Sequence, residues 1–137
     1  MSSKTRTGNN QTSVDRFSRI QMKKTELIYL ACPYSHQDIA VRIARFEAAN
    51  KAAAKLIEAG NHVFSPISHT HPIEMAAQGK LPMGWEYWAT YDERMIGYCD
   101  RLIVLAIEGW TISTGVQAEI TIARKKGIPV DYLTPTD

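Results

Sequence analysis

Four short runs of apolar, strand-forming residues alternate with stretches of helical periodicity, and that alternation leaves few folds open to the chain. The runs are Glu26-Leu-Ile-Tyr-Leu-Ala-Cys32, closed by Pro33; Asn61-His-Val-Phe-Ser65, closed by Pro66; Leu102-Ile-Val-Leu-Ala106; and Ile128-Pro-Val-Asp-Tyr-Leu133. After the first run Ser35 or Asp38 is placed to cap a helix that reaches Ala59 and stops at Gly60. Ile39, Ile43, Phe46, Ala49, Ala53 and Leu56 recur along it at helical spacing, with Arg42, Arg45, Lys51 and Lys55 largely on the other side. Residues 67–82 read as irregular, with a short helix over Pro72–Gln78. Residues 83–98 read as a helix with Trp85, Trp88, Tyr91 and Met95 as its apolar stripe. A last helix is expected over Gly115–Lys126, stopped by Gly127.

Strands alternating with helices imply a parallel sheet covered on both faces, joined by right-handed crossovers. The expected architecture is α/β: a single flavodoxin- or Rossmann-like domain. No G-x-G-x-x-G follows the first strand, so a dinucleotide fingerprint is absent. At 137 residues, 45% hydrophobic and 22% charged, the chain suits one soluble domain with a core of its own. No apolar run approaches the length of a membrane span, and the polar opening segment does not read as a secretory signal. Cys32 and Cys99 lack metal-ligand spacing and read as reduced, packed thiols of a cytoplasmic protein.

The net charge of +2 conceals an asymmetry. Residues 1–24 hold six basic groups against Asp15 alone, so the remaining chain is mildly acidic. That Ser/Thr/Asn-rich leader is expected to be disordered, with residues 25–137 forming the folded domain. Its charges lack interleaved aromatics, so a nucleic-acid partner is not expected.

Chemistry is expected where three strand ends converge, because a parallel sheet binds ligands at the carboxyl ends of its strands. The first strand carries Tyr29 and delivers Tyr34, Ser35 and His36. The second delivers His69 and His71. The third leads to Ser113-Thr-Gly-Val-Gln-Ala-Glu119, read as a loop and a helix whose first turn carries Glu119. A helix start of this kind turns backbone N–H groups and a positive end toward the crevice. Asp92 lies on the preceding helix, and Asp100 is read as a structural cap at its junction with the third strand. His69 and His71 lack a third ligand, so substrate contact or loop structure is favoured over a metal. Trp85 and Trp88 are read as core, leaving Tyr87 to line the pocket.

In order and spacing, Ile28-Tyr-Leu-Ala31, the alanine-rich helix, the Ser-Pro turn, Trp88-Ala-Thr-Tyr-Asp92, Cys99-Asp-Arg-Leu-Ile-Val-Leu105 and Ser113-x-Gly-Val-x-x-Glu119 resemble the nucleoside 2-deoxyribosyltransferase superfamily. That superfamily includes the 2'-deoxynucleoside 5'-monophosphate N-glycosidases, and the likeness covers roughly residues 26–133. It implies Glu119 as nucleophile at the anomeric carbon, Asp92 facing the base, and Tyr29 holding the nucleophile. Ser113 matches a position that is acidic in the transferases and a phosphate-binding serine in the monophosphate hydrolases. Apart from the resemblance, Thr114 and Gly115 at the helix N-terminus and Tyr34, Ser35, His36, His69, His71 and Tyr87 near the converging strand ends are expected around the substrate, in loops that depart from the family's forms. The resemblance also implies a homo-oligomer, and the chemistry requires no cofactor or metal.

The leading expectation is therefore an N-glycosidic-bond hydrolase or transferase acting on nucleoside 5'-monophosphates or (2'-deoxy)nucleosides through a covalent glycosyl intermediate. The rivals are a nucleotide-binding module without chemistry on the same fold, and a glycohydrolase of another N-glycoside such as NAD.

Overall fold

A computed structural model describes residues 25–81 and 85–135, so the basic leader, Pro82, Met83, Gly84, Thr136 and Asp137 lie outside the described residues. Four parallel strands, β1 (Leu27–Ala31), β2 (His62–Phe64), β3 (Arg101–Leu105) and β4 (Val130–Leu133), form one sheet in the order β2-β1-β3-β4. Helices α1 (Ile39–Glu58), α2 (Pro66–Ala77), α3 (Trp85–Gly97) and α4 (Thr114–Lys125) make the connections, with a 3-10 turn at Trp110–Ile112 before α4. The α/β class and the single flavodoxin/Rossmann-like domain read from the alternation are what the chain forms. No helix among the described residues is long and apolar enough to cross a membrane.

Strand alternation divides the core between two layers. Ile28 and Leu30 of β1, with Cys32 just beyond it, lie on one face, where they pack with Ala49, Ala52 and Leu56 of α1. Tyr29 and Ala31 point to the other, among Ile96 and Cys99 of the α3 end and Val116, Ile120 and Ala123 of α4. Both faces being covered, β3 has no solvent side and reads Arg101-Leu-Ile-Val-Leu105, buried throughout. Arg101 is neutralised in place: its Nε lies 2.8 Å from Glu26 Oε1 and its Nη1 2.5 Å from Asp131 Oδ2. Asp100 accepts a 2.8 Å hydrogen bond from the Leu27 amide, tying the start of β1 to the turn before β3.

Two elements differ from their sequence reading. Residues 66–77 are one helix, not an irregular segment, because Ser65 caps it through its side chain and Pro66 occupies the first helical turn. Pro72 sits inside that helix, which is why the sequence suggested a start at this position. On α3 the stripe turned inward is Trp88, Asp92 and Ile96, with Ile96 fully buried and Tyr91 exposed. A polar residue occupies an inward position there, so apolar counting rotated the stripe by about one residue.

The chain runs from β1 outward to β2, then returns across the sheet to β3. The order therefore reverses between β1 and β3, and a crevice opens at their carboxyl ends.

Candidate active site

That crevice is a cavity of about 910 Å3, walled by the segments after β1, β2 and β3 and by the cavity-facing side of α3. Three helices begin around it. Asp38 caps α1 by accepting from the Ala40 amide, Ser65 caps α2, and Ser113 caps α4 by accepting from the Val116 amide at 3.2 Å. Residues beside each of these helix starts line the cavity, so three partial positive charges converge on it.

Glu119 lies at the cavity wall, only 5% exposed. It belongs to the second turn of α4 rather than the first, because the helix begins at Thr114 and its first turn carries no acid. This position brings the side chain under the sheet end and removes the explanation that the residue merely decorates a helix N-terminus. Tyr29, fully buried in β1, donates from its hydroxyl to Glu119 Oε2 at 2.7 Å. Asp92 approaches from α3 and is 6% exposed, its Oδ1 buried without a hydrogen-bond partner among the described residues.

Two buried carboxyls and a phenol cannot all ionise in so small a volume. Burial pushes Glu119 up to about 8, with the charge of Asp92 as the second cause. Burial also raises Asp92, to about 6, partly offset by the nearness of the Glu119 and Tyr29 side chains as potential donors. Tyr29 is raised well above the ordinary phenol range by burial and then by Glu119. The two carboxyls therefore titrate as a pair, and burial favours a proton shared between them over ionisation of both.

Of the other residues singled out from the sequence, Ser113, Thr114, Gly115, Tyr34, Ser35 and His36 all line the cavity. Tyr34 is fixed by its hydroxyl, 2.5 Å from His71 Nδ1 and 3.5 Å from Glu74. His71 itself is buried, stacked on Phe46 at 4.3 Å, and does not line the cavity. His69 is exposed, its Nε2 2.7 Å from the Tyr91 hydroxyl, and it too is not among the lining residues. The two histidines are separated because they stand two positions apart on a helix, where side chains diverge. Tyr87 is a correction: it is 45% exposed and packs edge-on against Trp88, while Trp88 takes the place in the cavity wall. Its indole Nε1 is buried with no partner among the described residues.

Sequence reasoning missed Arg42 and Arg45, which also line the cavity. They read as the solvated side of an amphipathic helix. The usable signal was position: the opening turns of a helix that follows β1 stand beside the strand ends. Ile39 and Ile43 in those turns are 42% and 40% exposed, so this end of α1 stands clear of the sheet. No group of three or more His, Cys, Asp or Glu side chains among the described residues is arranged to hold a metal ion.

Residues 26–134 match the family model described as Domain of unknown function (DUF1937), and the chain belongs to that family. No curated protein matches it.

Proposed function

We propose that the chain cleaves the N-glycosidic bond of a nucleoside 5'-monophosphate, with Glu119 as nucleophile. The observation that carries this is the buried Tyr29–Glu119–Asp92 cluster in the wall of a cavity at the switch point of the sheet. A module that only binds nucleotides has no use for two desolvated carboxyls, which weaken the fold; perturbed acids in a cleft mark chemistry. The resemblance to the nucleoside 2-deoxyribosyltransferase superfamily supports the same roles from the sequence side.

The steps follow from the protonation of the pair. The base sits against Asp92 and Trp88, whose unpaired Oδ1 and Nε1 offer an acceptor and a donor to a heterocycle edge. As the C1'–N bond breaks, the proton held by the pair passes through Asp92 to the departing base nitrogen. Glu119, now a carboxylate, forms a bond to C1' and captures the oxocarbenium-like centre as an ester. The Tyr29 hydroxyl steadies the carboxylate oxygen that does not attack. Water then attacks C1', returns a proton to the pair and releases the sugar phosphate with net retention. A second base in place of water makes the same machinery a transferase.

A phosphate is favoured over an unmodified nucleoside by the electrostatics of the cavity. Three helix starts and Arg42 line it, set against Glu74 and Glu86 in the same lining, and Ser113 caps α4 without adding negative charge. The test is incubation with the common ribo- and deoxyribonucleoside monophosphates, the parent nucleosides and NAD, followed by chromatography for free base or nicotinamide. Base release from a monophosphate, reduced more than about a thousandfold in Glu119→Gln, is the expected result. Ligand binding without release supports the binding module, and nicotinamide release alone supports the NAD reading.

A further inference from the structure

Two segments form opposing lips of the cavity: the loop after β1 and the loop after β3. A single guanidinium bridges them. Arg45, in the second turn of α1, donates from Nη1 to the Ser35 carbonyl at 3.1 Å and from Nη2 to the Glu108 carbonyl at 3.4 Å. Arg42 also reaches back, to the His36 carbonyl, but that contact engages one lip only.

The next residue on the β3 side is shaped around this bridge. Gly109 has φ +95°, and a Cβ built on it would lie 2.5 Å from Arg45 Nη2 and 3.5 Å from Cζ. Gly79 and Gly127 also have positive φ, yet a Cβ on either meets nothing within 4 Å. Those two serve their turns alone, whereas Gly109 in addition leaves room for the guanidinium. Gly109 then leads into the 3-10 turn at Trp110–Ile112 and directly to Ser113, the cap of α4. Arg45 therefore links the segment that leads to Thr114 and Gly115 with the segment Tyr34–His36.

We propose that Arg45 is the positioning residue for the anion end of the cavity, fastening the lip after β1 to the lip after β3 through the gap left by Gly109. The link to an anion rests on the monophosphate reading above; the bridge itself does not. Arg45 acts here as a fork rather than as a charge, and a lysine, with a compact ammonium, cannot reproduce it.

The test uses the full chain and the variants Arg45→Met, Arg45→Lys and Gly109→Ala, with Gly79→Ala and Gly127→Ala reporting backbone strain without a clash. Amide hydrogen exchange is followed over residues 33–37 and 108–115, and inorganic phosphate is titrated by calorimetry. Arg45→Met, Arg45→Lys and Gly109→Ala are expected to speed exchange in both segments together by about tenfold. The two control variants leave both segments at wild-type rates. Gly109→Ala adds less in the Arg45→Met background than in the wild type, and phosphate affinity falls about tenfold in both Arg45 variants. Wild-type exchange and phosphate affinity in Arg45→Lys would overturn the proposal, because charge alone would then suffice. So would acceleration in one lip only, or strict additivity of the two changes. If the wild-type chain does not bind phosphate, the monophosphate reading fails and the exchange data alone decide the bridge.

Discussion

Replacing Glu119 by Gln should make the protein more stable while removing its chemistry, and the gain should depend on pH. The Glu119 carboxyl is raised from 4.5 to about 8, chiefly by burial, so the folded state binds its proton more tightly than the unfolded chain does. The sign follows: the cost of folding around the ionised group is absent at acid pH, grows as pH rises from about 4.5, and is complete above about 8. At about 1.4 kcal/mol per pH unit an isolated group would cost ~5 kcal/mol. Sharing of the proton with Asp92 spreads that cost over the pair, so ~5 kcal/mol is the ceiling on what one substitution removes. Gln is neutral at every pH and keeps an oxygen to accept from Tyr29. Thermal melts of both proteins between about pH 5 and pH 9 should nearly coincide at the acid end and separate progressively towards the alkaline end, by about 4–8 °C for each kcal/mol removed. A pH-independent difference, or a variant less stable throughout, would refute the assignment of Glu119 as a strained, desolvated acid.

Three further outcomes are expected. Tyr29→Phe removes a hydrogen bond that favours the ionised form of Glu119, so the Glu119 midpoint followed by carbon NMR moves upward; a midpoint moving down would contradict this geometry. Ser113→Asp keeps a good helix cap but sets a negative charge at the cavity, and should weaken monophosphate binding about tenfold while sparing the nucleoside. Equal losses for both ligands would exclude a phosphate near Ser113. Arg101→Met strands the buried Glu26 carboxylate and should cost about 3 kcal/mol in urea unfolding, with Glu26→Gln in the same chain recovering much of it. A loss below about 0.5 kcal/mol would show the ion pair to be marginal.

The parts of the fold governed by local rules were legible in the sequence. Apolar runs closed by Pro33 and Pro66, and the glycine stops at Gly60 and Gly127, mark element ends within a residue or two of where they fall. The parts that failed are those where tertiary position outweighs periodicity. Pro66 starts a helix and Pro72 is carried inside it, although either proline alone reads as a break. Asp92 is a carboxyl in a buried stripe, so a count of apolar residues assigned Trp88 to the core and Tyr87 to the cavity, whereas Trp88 lines the cavity and Tyr87 is exposed. Arg42 and Arg45 looked solvated because helical periodicity reports which side a residue faces but not what lies beyond the end of the sheet. The gathering of Tyr29 and Glu119, ninety positions apart, was reachable only through the strand order and the family resemblance.

The central claim is a covalent bond between Glu119 and the sugar, and intact-protein and peptide mass spectrometry after an acid quench during turnover tests it most directly. The expected result is a mass increase equal to the glycosyl phosphate residue, located on the peptide containing Glu119 and absent from Glu119→Gln. Steady turnover of the monophosphate with no adduct on that peptide, and with inverted configuration at C1', would contradict it.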